Sequence, residues 1–308
     1  MRYLLVLFLL FFSKPTHQTK NVQKIYFDIS PLHKELLNVN KEDINQIFSD
    51  MSVYTNNLCK NRNISLKNMN WVISSLIAGC LNFYLINDHS AYKSFIKMNE
   101  IIGNDTKDCY TVGFSQLYLM YTFLKCNNIS AIDIDWRIHY AHYQFIMNSK
   151  NNVIEDALAN IDIGSEKNEG IKTFCDGEYV FRCFVAYEYF AKNYRNSNIY
   201  LQLKFLHEAE FYKTHSKNII LFVSNAIDHE YTTREQMDMI LENLGKVADK
   251  RKVYIIYHTG GNTTYAIYQI YLVNNKITIN TIYRDDLRFA KSYGRMAGVR
   301  YKTYLDYK

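Results

Sequence analysis

The sequence predicts an α+β protein, with a helical amino-terminal domain followed by a carboxy-terminal α/β domain that has a small mixed sheet of about five strands. In the first half, apolar residues recur at spacings of three and four, which is typical of helices. In the second half, short apolar runs of strand length alternate with helical patterns. A polar, glycine-containing stretch over residues 162–170 separates the two patterns. The chain of 308 residues is long enough for two such domains, which we predict over residues 20–165 and 166–308.

The first domain is predicted to contain only helices. Gly103 is expected to end one of them, because glycine is the preferred residue just past a helix end. Ser130 is expected to cap another helix and Asp133 to lie in its first turn. The predicted helices cover residues 41–59, 66–86, 91–102, 112–126, 130–147 and 152–161.

The second domain is predicted to mix helices and strands. One helix covers residues 178–194, and a second covers residues 232–247 with Thr232 or Thr233 as its amino-terminal cap. Asn274 and Asn275 are expected to form the turn of a hairpin, since asparagine tolerates the backbone angles that such turns require. The predicted strands cover residues 198–205, 218–224, 252–257, 265–273 and 277–283.

The amino terminus has the layout of a secretory signal peptide. Arg2 precedes about ten apolar residues, and a polar stretch follows, so we predict a signal over residues 1–19 and a secreted protein. An uncleaved amino-terminal anchor is the alternative, and no membrane association is expected once the signal is removed. The net charge of +6 is spread among interspersed acidic and basic residues, which argues against nucleic acid as a partner.

Sequons and cysteines fit an exported chain. Four sequons make glycosylation candidates of Asn63, Asn104, Asn128 and Asn262. An even number of cysteines permits three disulfides, whose connectivity the sequence leaves open. There is no C-x-x-C pair, so we expect no structural zinc, and no cofactor is predicted. The six cysteines are Cys59, Cys80, Cys109, Cys126, Cys175 and Cys183.

A short motif at residues 176–184 resembles the nucleophile motif of the ovarian-tumour (OTU) cysteine proteases. Asp176, Gly177, Phe181 and Arg182 match that motif, whereas Tyr179 stands where the family has its nucleophilic cysteine. The resemblance covers residues 172–287. It implies a catalytic histidine after the strand over residues 277–282, where this chain has Tyr283 instead. A tyrosine hydroxyl, with its ordinary pKa near 10, is a poor nucleophile for acyl transfer.

These substitutions lead to the prediction of a pseudoenzyme, a secreted, non-catalytic effector that binds a protein partner through an inactivated OTU-like domain. The first alternative is an active secreted cysteine hydrolase that uses Cys175 or Cys183 with His258. The second is a disulfide-stabilised secreted binding protein of unrelated fold. The oligomeric state is left open.

Three further sets of residues are candidate sites. Polar residues follow two predicted strands, where ligands bind in α/β sheets, although ordinary loop residues are the favoured interpretation. Carboxylates and imidazoles share the helix predicted over residues 130–147, but a metal would need another ligand, so solvated helix residues are favoured. The tail over residues 288–308 is basic, and a solvated tail is favoured over a site for an acidic partner. The strand-end set is Asn225, Asp228, His229, Glu230 and His258, and the helical set is Asp133, Asp135, His139 and His142.

Overall fold

The computed structural model shows one continuous sheet that is covered by helices on both faces. It describes residues 25–29, 43–60, 91–114, 116–148, 180–212, 215–227, 232–258, 265–285 and 305. Within these residues the strands are β1 Ile25–Ile29, β2 Lys107–Val112, β3 Asn128–Asp133, β4 Ile199–Leu203, β5 Asn218–Ser224, β6 Lys252–His258, β7 Tyr265–Val273 and β8 Lys276–Arg284. The helices are α1 Ile44–Lys60, α2 Tyr92–Ile102, α3 Gln116–Leu124, α4 Trp136–Asn148, α5 Val180–Asn193 and α6 Arg234–Ala248. None of the described helices is both long enough and apolar enough to cross a membrane.

The eight strands lie in the order β1-β4-β3-β2-β5-β6-β7-β8. The first six strands in this order pair in parallel, and β7 and β8 continue the sheet antiparallel. From β2 the chain progresses outward through β3 to β4, and it then returns to the other side of β2 with β5 and β6. The order therefore reverses between β2 and β5, as it does in doubly wound α/β proteins.

Each face of the sheet packs against its own apolar cluster. Helices α2 to α5 cover one face with a cluster that includes Phe95, Tyr118, Phe145 and Phe190. Helix α6 covers the other face with Met237, Ile240 and Leu244, and Leu305 packs into the same cluster. The central strands β5 and β6 contribute side chains to both clusters, which explains their continuous apolar sequences. Burial of each such side chain stabilises the fold by about 1.5–3 kcal/mol.

The prediction of a helical first domain with a separate small sheet is wrong. Strands β1, β2 and β3 all come from the part of the chain that was predicted to be helical, and the sheet has eight strands rather than about five. The helix predicted over residues 112–126 begins only at Gln116, after β2 has ended. The helix predicted over residues 130–147 begins only at Trp136, so Ser130 is a strand residue and not a cap.

Several local predictions are confirmed. Helices α1, α2, α5 and α6 and strands β4 to β8 lie where the patterns placed them. Thr233 caps α6 and forms a capping box with Gln236. Gly103 follows α2 with a φ of 58° and donates its backbone N–H to the Asn99 carbonyl. The hairpin of β7 and β8 turns at Asn274 and Asn275, whose φ angles are 50° and 60°.

Candidate functional site

A cleft opens at the carboxyl edge of the sheet, at the point where the strand order reverses. It encloses about 600 Å³, including the part that is open to solvent. The ends of β2, β3, β4 and β5 form its floor, and Thr232 and α6 form one wall. The residues along it include Val112, Ile132, Asp133, Lys204, Phe205, His207, Ala226, Thr232, Gln236 and Ile240.

A tight turn and a carboxylate meet at this cleft. Gly113 directly follows β2 and has a φ of 84°, a left-handed conformation that glycine adopts without strain. Its backbone N–H donates to Asp133 Oδ2 over 3.1 Å, so the turn after β2 is joined to the end of β3. Asp133 Oδ1 accepts the backbone N–H of Asp135 at 2.9 Å. A carboxylate has about four acceptor positions, so Asp133 can accept further hydrogen bonds from a ligand.

The environment of Asp133 favours its protonated form. Burial raises the pKa of Asp133 to about 7. The negative charge of Asp135 raises it further, whereas hydrogen bonds from the backbone N–H groups of Asp135, Gly113 and Ile134 lower it. The Asp135 carboxylate is itself neutralised by Arg137, whose Nη2 lies 2.6 Å from Oδ2. A carboxyl group that titrates near neutral pH within a cleft is a frequent mark of a functional site.

The side of the cleft formed by β4 combines a fixed cation with two stacked rings. Lys204 is only 6% exposed, and its Nζ contacts Asp28 Oδ2 at 2.5 Å and Glu210 Oε1 at 2.8 Å. Burial alone would lower the pKa of Lys204, but these hydrogen bonds raise it above its ordinary value, so the side chain stays charged. Phe205 and His207 stack with ring centroids 5.4 Å apart. Burial lowers the pKa of His207, so its ring is neutral and suited to stacking on a planar ligand.

The predicted helical set forms no metal site, and the favoured interpretation of solvated helix residues is wrong for its histidines, which are buried. His139 and His142 are both fully buried in α4 with ring centroids 6.4 Å apart, and both hydrogen bond to protein groups. His139 Nε2 lies 3.0 Å from the Asp133 carbonyl oxygen, and His142 bonds to Gly113 and Tyr118. No group of His, Cys, Asp or Glu side chains within the described ranges could hold a metal ion.

The OTU-like motif and the proposed cysteine nucleophiles are described only in part. Cys175, Asp176 and Tyr179 lie outside the described residues, and Arg182 and Cys183 belong to α5. Tyr283 lies in β8, an antiparallel strand beside β7 in the eight-stranded sheet. This sheet, parallel over most of its width, is not the small sheet of about five strands that the sequence patterns predicted.

His258 is a buried residue of the core. It is fully buried at the end of β6, and its Nε2 lies 3.1 Å from Ser94 Oγ. Ser94 donates its hydroxyl proton to the Ala91 carbonyl, so His258 Nε2 must be the donor in the contact between them. A histidine in this tautomer cannot activate Ser94. The His258 ring also stacks on Tyr265, which in turn stacks on Tyr283.

The structure places only part of the strand-end set and of the sequon and cysteine predictions. Asn225 follows β5, whereas Asp228, His229, Glu230 and the basic tail up to residue 304 lie outside the described residues, as do Asn63, Asn262 and Cys80. Asn104 is exposed, but Asn128 donates to Asp108 Oδ1 at 2.8 Å and accepts from Asn198 at 3.1 Å. A glycan on Asn128 would break these bonds, so Asn104 is the better acceptor of the two. Cys109 and Cys126 form a disulfide across 17 residues of sequence, and Cys59 lies in α1.

The sequence contained a signal for this site, but the prediction of helices over residues 112–126 and 130–147 concealed it. Gly113 and Asp133 are 20 residues apart, the separation between the first glycine turn and the ribose-binding acid of a nucleotide-binding βαβ unit. The second and third glycines of that fingerprint are absent, since Ser115 and Tyr118 occupy their positions. Lys204 and the stacked rings had no recognisable pattern in the sequence.

Comparison with known proteins finds distant structural likenesses. No family model matches the chain, and no curated protein sequence matches it. The crystal structure of the glycopeptide N-methyltransferase MtfA is similar over 75% of this chain and 87% of its own, with 6% identity and a TM-score of 0.31. An S-adenosylmethionine-dependent methyltransferase from Clostridium acetobutylicum ATCC 824 is similar over 73% of this chain and 85% of its own, with 9% identity and a TM-score of 0.26.

A TM-score below 0.5 does not establish a shared fold, so neither protein assigns a function to this chain. The sheet itself corrects the OTU resemblance, because it has eight strands that are mostly parallel, where a small sheet of about five strands was predicted. The predictions that depended on it, an OTU-like pseudoenzyme and a cysteine hydrolase with His258 as its base, are wrong.

Proposed function

We propose that the chain binds a nucleoside-containing cofactor in the cleft at the carboxyl edge of its sheet. The observation that carries this proposal is the hydrogen bond between the Gly113 turn and the Asp133 carboxyl at the reversal of strand order. In doubly wound sheets, an acid about 20 residues after the first glycine turn accepts the ribose hydroxyls of a nucleotide. Asp133 occupies that position, and Phe205 and His207 offer ring faces for the base.

The turn after β2 favours a nucleoside that carries no pyrophosphate. Backbone N–H groups can approach a pyrophosphate closely only where small residues follow the first glycine of the turn. Here Phe114 and Tyr118 follow Gly113, and both are fully buried with rings 5.2 Å apart. Their side chains are packed in the core behind the turn, and the run of glycines is missing.

Among nucleoside cofactors without phosphates, S-adenosylmethionine has the chemistry that fits this arrangement best, and we propose a methyltransferase. When bound, this cofactor would supply an electrophilic methyl group, which passes from its sulfonium sulfur to a nucleophilic atom of the acceptor substrate and leaves the thioether S-adenosylhomocysteine. The chain's own residues would hold the ribose through Asp133 and stack on the adenine. The apolar side chains of Val112, Ile132 and Ile240 would keep water away from the adenosine.

Calorimetric titration of the full chain with S-adenosylhomocysteine, adenosine and NAD tests this proposal. We expect the first two to bind and NAD to bind at least tenfold more weakly. Asp133→Asn should weaken binding of the first two by tenfold or more, because its amide cannot replace a carboxylate that accepts two hydroxyls. Asp105→Asn, an exposed residue remote from the cleft, is the matched control. Equal affinities of the wild type and Asp133→Asn would contradict the assignment of the site.

Export stays a separate proposal that rests on residues 1–19, which lie outside the described residues. The buried disulfide between Cys109 and Cys126 supports it, because structural disulfides persist mainly in oxidising compartments. A protein as the acceptor or binding partner is likewise a proposal. Sequencing the amino terminus of the protein recovered from an expressing cell's medium would test for a signal that ends near residue 19.

A further inference from the structure

His142 holds the Gly113 turn from the side opposite to Asp133. The histidine lies on α4, is fully buried, and has its Nε2 3.2 Å from the Gly113 carbonyl oxygen. Its Nδ1 lies 2.8 Å from the Tyr118 hydroxyl. The two atoms therefore join the turn after β2 to both of the helices that flank it, α3 and α4.

The chemistry of the partners fixes the tautomer. A carbonyl oxygen can only accept, so His142 Nε2 donates to Gly113, and Nδ1 must then accept the proton of Tyr118. Burial, with the neighbouring His139, lowers the pKa of His142 to about 3, so the ring stays neutral and keeps this arrangement. The Phe114 ring packs against the imidazole at 4.8 Å and leaves it little room to rotate.

We propose that His142 is a positioning residue for the nucleoside site, and that its Nε2–H orients the Gly113 peptide so that the glycine N–H points at Asp133. The inference rests on the proposed function, since it concerns the same site. The Gly113 carbonyl and N–H belong to neighbouring peptide groups, and the backbone angles of Gly113, whose φ is 84°, set the directions of both. The turn is thus held on one side by the imidazole donor and on the other by the carboxylate that it helps to orient.

Two substitutions separate the hydrogen bonds of His142. Asn places its amide where Nδ1 lies, so His142→Asn can still accept from Tyr118 but no longer reaches Gly113. Gln places its amide where Nε2 lies, so His142→Gln still donates to Gly113 but loses Tyr118. Combining His142→Gln with Tyr118→Phe removes the hydroxyl that would otherwise be left without an acceptor. Tyr194→Phe is the matched stability control, because the Tyr194 hydroxyl donates to Ile146 of α4 and does not contact the turn.

The variants are compared in three measurements on the full chain: affinity for S-adenosylhomocysteine, thermal stability, and hydrogen exchange of the Gly113 amide without ligand. We expect His142→Asn to bind S-adenosylhomocysteine about tenfold more weakly, because a tenfold loss of affinity corresponds to one lost hydrogen bond. In the same variant the Gly113 amide should lose its protection against hydrogen exchange. His142→Gln/Tyr118→Phe should restore both properties. Tyr194→Phe should lose a similar amount of stability to His142→Asn and bind as the wild type does.

The outcomes separate this inference from the proposed function. If the wild type binds and His142→Asn binds equally well, the positioning role is wrong and the nucleoside site stands. The role is also wrong if affinity falls in parallel with stability in all variants, including Tyr194→Phe, because His142 would then be only a core residue. If the wild type binds no nucleoside, the proposed function and this inference both fall.

Discussion

Asp133 is the residue at which stability and the proposed function conflict. Its pKa is raised from an ordinary value near 4 to about 7, so the folded protein holds a proton that the unfolded chain releases. Between these values the unfolded chain binds fewer protons than the folded one, and this group's contribution to stability falls as the pH rises. At neutral pH the ionised Asp133 therefore lowers the stability of the folded protein. Such a loss of stability is common for residues that serve a ligand.

The same titration predicts how nucleoside affinity depends on pH. Ribose hydroxyls donate to the ionised carboxylate, and below pH 7 the free protein must lose a proton before it can accept them. We expect the Kd of S-adenosylhomocysteine to be constant above about pH 8 and to rise about tenfold for each pH unit below about 7. Titration calorimetry in buffers of different ionisation enthalpy would also show proton release on binding. Asp133→Asn should bind weakly without this dependence, whereas the same slope in that variant would exclude Asp133 as its origin.

A second buried carboxylate, Asp108, is structural. It lies in β2 near the amino edge of the sheet and accepts from Asn128 and Ser216, each at 2.8 Å. Arg251 Nη1 is 3.5 Å from its Oδ2, and both side chains are buried. The carboxylate thus joins the starts of β2, β3, β5 and β6 at the edge opposite the cleft.

Removing this carboxylate should unfold the protein more easily without a direct effect on the cleft. Asp108→Ala leaves Arg251 as a buried charge without its carboxylate, and we expect a loss of about 3–5 kcal/mol in urea unfolding. The control is Asp105→Ala, which removes an exposed ion pair with Lys217 and should leave the urea midpoint unchanged. A midpoint for Asp108→Ala equal to that of the control would show that the buried pair contributes nothing to stability.

At the scale of elements, helices and apolar strands could be predicted from their sequences, whereas β2 and β3 could not. Residues Asp108, Thr111 and Ser130 are polar yet buried, because hydrogen bonds along the sheet satisfy them. These polar residues interrupt the continuous apolar sequence by which a central strand is recognised. The helices that follow start within a few residues, so each strand and helix together produced one long helical pattern. With these strands concealed, the strand-end position of Asp133 was concealed as well.

The hairpin of β7 and β8 offers a test of local backbone preference. Asn274 and Asn275 both have positive φ angles, which suits a two-residue turn in which glycine at the second position is preferred. We expect Asn275→Gly to stabilise the chain by about 0.5 kcal/mol and Asn275→Ala to destabilise it by about 1 kcal/mol, since alanine is strained in this region. Urea midpoints at constant m-value would measure both. A stabilising Asn275→Ala would mean that the turn changes its conformation.

At the scale of the whole molecule, both halves of the sequence are needed to build the sheet. β4 pairs on one side with β1 and on the other with β3, and both partners come from before residue 135. β5, from the second half of the chain, likewise pairs with β2 from the first half. The cleft shares this property, because Gly113 and Asp133 come from the first half and Lys204 and Gln236 from the second. A site of this kind exists only once contacts that are distant in sequence have formed.

Expression of residues 166–308 alone tests this dependence. In that fragment β4 loses both of its partners and β5 loses one, which leaves their backbone donors and acceptors exposed. The fragment also lacks α2, whose Phe95 packs against Phe222 of β5. We expect a fragment that lacks cooperative urea unfolding and aggregates, whereas the chain over residues 20–308 should unfold in a single transition. Circular dichroism and size-exclusion chromatography would distinguish the two. A cooperatively folded, monomeric fragment would show that β5 to β8 with α6 form an independent unit, and that the first half adds the nucleoside site to it.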